Sequence, residues 1–323
     1  MFIVTGGAGF IGSAFVRKLN DEGISDIIIV DSLGSDQKWQ NLNGKKFFDY
    51  IHKDKFLNLI ENDALSLPIK GIIHLGACST TTETDGEYMM SNNYRYTKIL
   101  AEWALERKVR FIYASSAATY GDGKSGYSDS EENLEKFKPL NLYGFSKHAF
   151  DMCAFETGAC QKIAGLKFFN VYGPNEYHKG DQASVAFKGF NSIKSSGKIK
   201  LFKSHHQLYK DGEFYRDFIY VKDCLDVLWW LLNKPKVNGI FNLGTGKASS
   251  WNDLALALFK ALNLEPNIEY IEMPENIRNQ YQYLTQASME KLKKAGCPVS
   301  FRTIEDGVKD YVENYLEKED RYY

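Results

Sequence analysis

The first twelve residues constrain the fold more than any other segment. Phe2-Ile3-Val4-Thr5 is an apolar run that breaks into Gly6-Gly7-Ala8-Gly9-Phe10-Ile11-Gly12, after which a helical pattern continues through Leu19. Strand, glycine turn and helix in that order set a helix amino terminus against the end of a strand. Gly6, Gly9 and Gly12 then allow a tight turn, close approach of a pyrophosphate to the backbone, and close packing of helix on sheet. The amides and partial positive charge at such a terminus suit phosphate oxygens. A second apolar run, Ile27-Ile28-Ile29-Val30, ends on Asp31. That acid follows the glycines by about twenty residues, where a carboxylate meets an adenosine ribose.

Apolar runs near 2–5, 27–31, 70–77 and 110–115 alternate with helical patterns near 11–21, 54–61, 86–106 and 142–157. The alternation predicts an α/β chain built on a doubly wound parallel sheet covered on both faces. At 323 residues there is room for that sheet and a smaller α/β lobe. Glycine, proline and charge thicken from Lys167 onward, at Gly173-Pro174, Lys179-Gly180 and the polar stretch 203–215. We therefore expect a dinucleotide-binding domain over 1–169 and a substrate lobe over 170–216 and 247–323. Segment 217–246 is expected to rejoin the first domain, with Phe218–Val221 and Gly239–Gly244 both returning to its sheet. The polar end, 318–323, is expected to fray.

A formal charge of −1 leaves no basic footprint for nucleic acid or an anionic membrane. The longest apolar run, Leu225 to Leu232, is short for a bilayer span and carries Asp226. The glycine-rich start lacks the basic leader of a signal peptide. Five cysteines form no C-x-x-C pair. That speaks against a disulfide framework or a metal site and for a reducing, cytoplasmic setting.

The chemistry concentrates in Tyr143-Gly144-Phe145-Ser146-Lys147. On a helix the tyrosine and lysine share one face, one turn apart. A cation beside a phenol favours the phenolate, so Lys147 is expected to draw the Tyr143 pKa below its usual value of about 10 and let it trade protons with a substrate hydroxyl. The run Arg110 to Gly121 reads as a buried strand that breaks into small hydroxyl residues at its carboxyl end. Ligands of doubly wound sheets gather there, and Ser116 is suited to bond the same substrate oxygen.

With these segments in view, the chain resembles the extended short-chain dehydrogenase/reductase family over essentially its whole length. Gly76-Ala77-Cys78-Ser79, Tyr88-Met89-Met90-Ser91-Asn92-Asn93-Tyr94, Phe169-Asn170-Val171-Tyr172-Gly173-Pro174, His178-Lys179-Gly180, Ala183-Ser184-Val185-Ala186-Phe187 and Phe241-Asn242-Leu243-Gly244-Thr245-Gly246 look like the ADP-heptose 6-epimerase branch of that family. The resemblance implies an epimerase acting on ADP-heptose for the inner core of lipopolysaccharide. The exocyclic C6 carbinol is oxidised to a ketone, the bond rotates, and reduction occurs from the other face. The carbinol points in two directions in the two epimers, so two acid/bases are implied, Tyr143 and Lys179. Lys147 would hold the nicotinamide ribose.

The same resemblance gives a cofactor site of Gly6, Gly9, Phe10, Ile11, Gly12, Asp31, Ser32, Lys38, Lys53, Leu75, Gly76, Ala77, Cys78, Ser79, Asn92, Lys147, Val171 and Lys179. Asp31 by charge alone favours NAD. Lys38 and Lys53 stand where the branch accommodates a 2'-phosphate, so NADP is expected, one per subunit, with NAD as the other candidate. Substrate contacts carry over to Asn170, Asp181, Lys188, Phe202, Lys203, Ser204, His205, Arg216 and Tyr281, Arg216 being suited to forked recognition of a diphosphate. Lys188 replaces a histidine, Asp181 a small polar residue and Lys203 a glycine, and the 204–215 loop is several residues longer. A homo-oligomer is implied, a pentamer among its candidate states.

Three other readings share these features in part. A 4,6-dehydratase needs an acid/base pair after the serine, and this chain has Ala117-Ala118 there. A C4 epimerase with one tyrosine base fits Ser116 to Tyr120 equally well but gives Lys179 no part. A non-catalytic NADP-binding protein has no reason to carry Ser116, Tyr143 and Lys147 together.

Overall fold

The computed structural model describes residues 1–278 and 282–323. The chain opens with β1 (Phe2–Thr5), α1 (Phe10–Asp21), β2 (Ile27–Asp31), β3 (Asp49–His52), α2 (Lys53–Glu61) and β4 (Gly71–His74). A helical stretch follows as α3 (Gly86–Met89) and α4 (Tyr96–Glu106), joined by a π turn over Met90–Arg95, and then β5 (Arg110–Ser116), α5 (Leu142–Glu156) and β6 (Ala164–Phe168). Beyond these come β7 (Asn170–Tyr172), α6 (Val185–Ser196), β8 (Ile199–Phe202), β9 (Tyr215–Arg216), β10 (Phe218–Tyr220), α7 (Val221–Leu232), β11 (Gly239–Leu243), β12 (Ser249–Ser250), α8 (Trp251–Ala261) and β13 (Ile268–Ile271).

Seven strands form one sheet in the order β11-β6-β5-β4-β1-β2-β3, and every neighbouring pair is parallel. Ile27 to Ile29 are wholly buried, as are Ile72, Ile73, Phe111 and Ile112. β-branched and aromatic side chains packed on both faces explain why these strands read as unbroken apolar runs. Helix α1 lays Ala14, Phe15, Val16 and Leu19 on the sheet and its outer flank on α7, where Lys18 pairs with Asp226 at 3.1 Å. The order of strands reverses direction beside β1 and β4, and loops at their carboxyl ends part to leave a crevice.

Three expectations need correction. Phe218–Val221 does not rejoin the large sheet: β10 pairs in parallel with β7, while β11 alone returns to the sheet against β6. Strand β6 itself is hidden in the sequence because Lys167 interrupts its apolar run, although that lysine is 0% exposed. The end of the chain is pinned rather than frayed. Tyr323 N–H donates to Asn175 Oδ1 (2.9 Å), its carbonyl accepts from Lys45 Nζ (2.6 Å), and Tyr177 Oη donates to the Arg321 carbonyl (2.7 Å). Tyr322 packs edge-on against Tyr177, so aromatic burial outweighs the polar look of the segment.

Candidate active site

The glycine turn is shaped by what its backbone excludes. Gly6 adopts a φ of +66°, and a Cβ at Gly12 would lie 2.0 Å from the Gly6 carbonyl oxygen. Neither position admits a side chain. A Cβ at Gly9 would meet little beyond Gly6, its closest contact being the carbonyl oxygen at 3.1 Å, which leaves that side open to a ligand. Gly9 also begins α1 without a side-chain cap. The amides of the first turn are thus left for an anion, and the cradle fits a dinucleotide pyrophosphate.

Asp31 ends β2 with its carboxylate fully engaged. Oδ2 accepts from Ala8 N–H (2.9 Å), and Oδ1 accepts from Ser32 N–H (2.7 Å) and Lys38 Nζ (2.8 Å). Lys53, at the start of α2, donates to Asn92 Oδ1 (3.0 Å). Ser32, Lys38, Lys53, Gly76, Ala77, Cys78 and Asn92 all border a cavity of about 280 Å³ beside Asp31. Two cations therefore flank one neutralised carboxylate.

This cavity adjoins a cleft of about 630 Å³ through Gly6, Asp31, Lys38, Gly76 and Ala77, which line both. The larger cleft gathers Gly9, Phe10, Ile11, Gly12, Leu75, Ser79, Ser116, Tyr143, Lys147, Asn170, Val171, Lys179 and Asp181. Helix α5 carries Tyr143 and Lys147 into it, and Asn141 caps that helix by accepting from Gly144 N–H at 2.8 Å. The Tyr143 carbonyl accepts from Ser146 Oγ (2.8 Å), which accepts in turn from Asn93 Nδ2 (3.0 Å) on the π turn. Asn93 also binds both the N–H and the carbonyl of Cys78 at 2.9 Å. Helix α5 and the 76–79 loop are thereby tied to one residue.

The electrostatics reverse one expectation. Burial pushes the Tyr143 phenol above its ordinary pKa, a hydrogen bond to Ser116 opposes the rise, and Cys78 and Asp151 add to it. Lys147 does not reverse that rise. Burial instead lowers Lys147 itself to about 8, against an upward pull from Asp151. Taking two ionisable groups out of water favours the neutral form of each, and that outweighs their mutual effect.

Lys179 reaches the cleft from a short turn, Tyr177–Gln182, that bends at Gly180 with a φ of +53°. Buried Glu176 anchors the turn. Its carboxylate accepts from Gly173 N–H (3.1 Å), Ser184 N–H (2.5 Å), Ser184 Oγ (2.8 Å) and Tyr311 Oη (3.1 Å). The Lys179 ammonium lies 5.5 Å from the Phe10 ring centroid. Burial lowers its pKa, Glu176 resists, and Lys188 adds to the fall.

Other expected substrate residues stand outside the lining of both cavities. Lys188 is exposed and donates to the Asp181 carbonyl. Phe202 ends β8, Lys203 pairs with Glu272 (2.9 Å), Ser204 N–H donates to Asp211 Oδ1 (2.7 Å), and His205 Nε2 lies 3.3 Å from Glu272. Arg216 is buried on β9, donates to the Tyr215 carbonyl (2.9 Å) and lies 6.0 Å from the ring of Trp251, which borders the cleft. Tyr281 lies outside the described residues.

The structure adds residues that sequence reasoning missed. Trp251 and Phe218 form part of the cleft wall, and wholly buried Asp217 holds the 245–246 turn by accepting from Thr245 N–H (2.7 Å), Thr245 Oγ1 (2.8 Å) and Gly246 N–H (2.9 Å). The Asp217 carbonyl accepts from Asn170 N–H at 3.1 Å, which fixes Asn170 at the cleft. Asp217 meets partners far along the chain, and Glu176 joins nearby Gly173 and Ser184 to distant Tyr311, so no local pattern marks either role.

A model of the NAD dependent epimerase/dehydratase family matches residues 2–244. The protein named ADP-L-glycero-D-manno-heptose-6-epimerase in Nitratidesulfovibrio vulgaris (strain DP4) is 54% identical over 322 residues, covering 100% of both chains. Its namesake in Fusobacterium nucleatum subsp. nucleatum is 49% identical over 331 residues, again covering 100% of each. Among solved structures, Helicobacter pylori ADP-L-glycero-D-manno-heptose-6-epimerase superposes with a TM-score of 0.81 at 28% identity, covering 97% of this chain and 95% of that one. MoeE5, solved with UDP-glucose and NAD, superposes with a TM-score of 0.74 at 25% identity and 97% coverage of both.

Proposed function

The chain belongs to the NAD dependent epimerase/dehydratase family, and we propose that it inverts C6 of the heptose in ADP-D-glycero-D-manno-heptose to give the L-glycero epimer. The observation that carries this reading is that Tyr143, from α5, and Lys179, from the 177–182 turn, line one cleft together with the glycine cradle. Bound oxidised nicotinamide supplies a hydride acceptor, and once reduced, a hydride donor. The side chains manage the proton and the geometry. Burial keeps the Tyr143 phenol protonated, fit to donate to a ketone oxygen, with Ser116 bonded to it. Burial makes the Lys179 ammonium readier to release its proton, so its amine can accept one from a carbinol. One group serves each face of the 6-keto sugar, and the exocyclic bond rotates between them.

NADP is our choice of cofactor. The Asp31 charge, which would repel a 2'-phosphate, is matched by Lys38 and two backbone amides, and Lys53 borders the same cavity. A nucleotide-activated sugar as substrate supports a cytoplasmic setting. No helix among the described residues is long and apolar enough to cross a membrane.

The decisive experiment incubates the purified protein with ADP-D-glycero-D-manno-heptose and follows the C6 epimer by NMR. Accumulation of both epimers to equilibrium is expected. Inversion of UDP-galactose at C4 with no C6 inversion of the heptose would replace this reading with the one-base alternative.

A further inference from the structure

Behind Ser116 and Tyr143 lies a charged pair with no access to water. Asp151, on α5 one turn past Lys147, and Lys167, on β6, are each 0% exposed and 2.5 Å apart. The carboxylate is saturated. Oδ1 accepts from Tyr113 Oη (2.9 Å), and Oδ2 accepts from Ser115 Oγ (2.7 Å) as well as from Lys167. Lys167 also donates to Thr119 Oγ1 (2.7 Å), and Thr119 Oγ1 donates to the Ser116 carbonyl (2.8 Å). Ser115 pairs with Lys167 across β5 and β6, and Ser116 with Phe168. The pair therefore grips Ser116 from the residue before it and from the turn after it, while standing on the helix that carries Tyr143.

Packing alone does not account for such a pair. Apolar side chains of similar volume fill an interior at least as favourably, because two buried charges must be stripped of water. What charges add is direction, since their hydrogen bonds fix helix against strand at one register.

We propose that Asp151 and Lys167 are positioning residues for the epimerase reaction, locking α5 onto β5 and β6 so that the Tyr143 hydroxyl meets Ser116. The inference rests on Ser116, Tyr143 and Lys147 acting as described above. Asp151 has a second effect, because it opposes the loss of charge that burial forces on Lys147. Facing Lys147 from β4 is His74, which burial holds neutral and which brings no charge of its own. Other titratable groups near the pair are Tyr113, Tyr120 and Cys160, all raised by burial, and His148, which burial and Lys167 hold down.

The test uses the full chain with Asp151→Asn combined with Lys167→Met, which removes both charges and leaves neither unpaired. Thermal melting should report a folded protein. Its kcat should fall on the order of 10- to 100-fold with KM little changed, as expected when a reacting group is displaced by less than about 1 Å. NADP affinity should also begin to weaken at lower pH than in the parent. A purely structural pair would change the melting temperature and leave kcat and that pH limb where they were, which overturns the proposal. If the double variant does not fold, Asp151→Glu decides, since it keeps the charge but moves it by one methylene. Lowered kcat with the parent's pH limb supports positioning, and parental kcat refutes it. Tyr143→Phe is the control for the premise: if that variant is fully active, the reading of the site fails irrespective of the pair.

Discussion

The two sides of the cleft present the two proposed acid/bases in different ways. Tyr143 projects from a fifteen-residue helix clamped to the central sheet by the Asp151–Lys167 network. Lys179 projects from a six-residue turn with a left-handed glycine, held by the Glu176 carboxylate and by the end of the chain. Tyr177, two residues before Lys179, is the link to that end through the Arg321 carbonyl. One wall is built from regular structure and the other from a short turn held by side-chain bonds, some local and some reaching the chain end. Burial acts on both groups, yet it shifts the phenol up and the ammonium down. Because burial disfavours whichever form is charged, similar surroundings favour the protonated phenol and the neutral amine. The asymmetry suits a reaction that must serve two faces of one carbon.

The largest test removes the rigid wall's acid. Tyr143→Phe keeps the ring and should melt normally, while turnover falls by a factor on the order of 100 to 10,000. Steady-state assay with both epimers decides it, and near-parental turnover takes Tyr143 out of the mechanism. Lys179→Met tests the wall built on the turn. Epimerisation should fall about 100-fold or more, yet dismutation of an analogue bearing a C6 aldehyde should persist through Tyr143. Full epimerase activity in that variant would mean that one wall suffices.

Smaller effects sharpen the contrast. Lys147 has its pKa lowered to about 8, so its positive charge is present below that pH and lost as pH rises through it. NADP affinity, titrated between pH 6.5 and 9.5, should weaken about tenfold by one unit above that pKa if only the ammonium binds the ribose productively. An affinity flat across that range would show that Lys147 does not contribute its charge. Lys38→Ala should shift the ratio of NADP to NAD affinity severalfold toward NAD, as loss of one charge-assisted contact implies. An unchanged ratio would remove the phosphate assignment. Tyr177→Phe, which deletes the bond to the Arg321 carbonyl together with the hydroxyl's contact with Tyr311, should cost about 0.5–1.5 kcal/mol and lower Tm by a few degrees with kcat retained. A large loss of kcat there would mean that the turn depends on the chain end more than its other bonds suggest.

Much of the molecule was legible in the residues alone. Continuous β-branched runs and glycine spacing are local signals, so β1, α1, β2, β4, β5 and α5 fall within a residue or a few of where the pattern puts them. The glycine cradle, Asp31, Ser116, Tyr143 and Lys147 line the cleft together, each lying on or at the end of a readable element. Strand β3 was missed because it is a four-residue edge strand with one buried side chain, and β6 because its buried lysine reads as solvent-facing. The pairing of β10 with β7, and the anchoring of the chain end, depend on partners more than 40 and 140 residues away.

The sequence by itself determined which elements form and which chemical groups they carry, because propensity and apolar period act over neighbouring residues. Only the tertiary structure decided how those groups ionise and what holds them. The fall in Lys147, the rise in Tyr143 and the partners that hold Asp151 all follow from exclusion of water and from contacts among distant segments, and no window of adjacent residues contains that information.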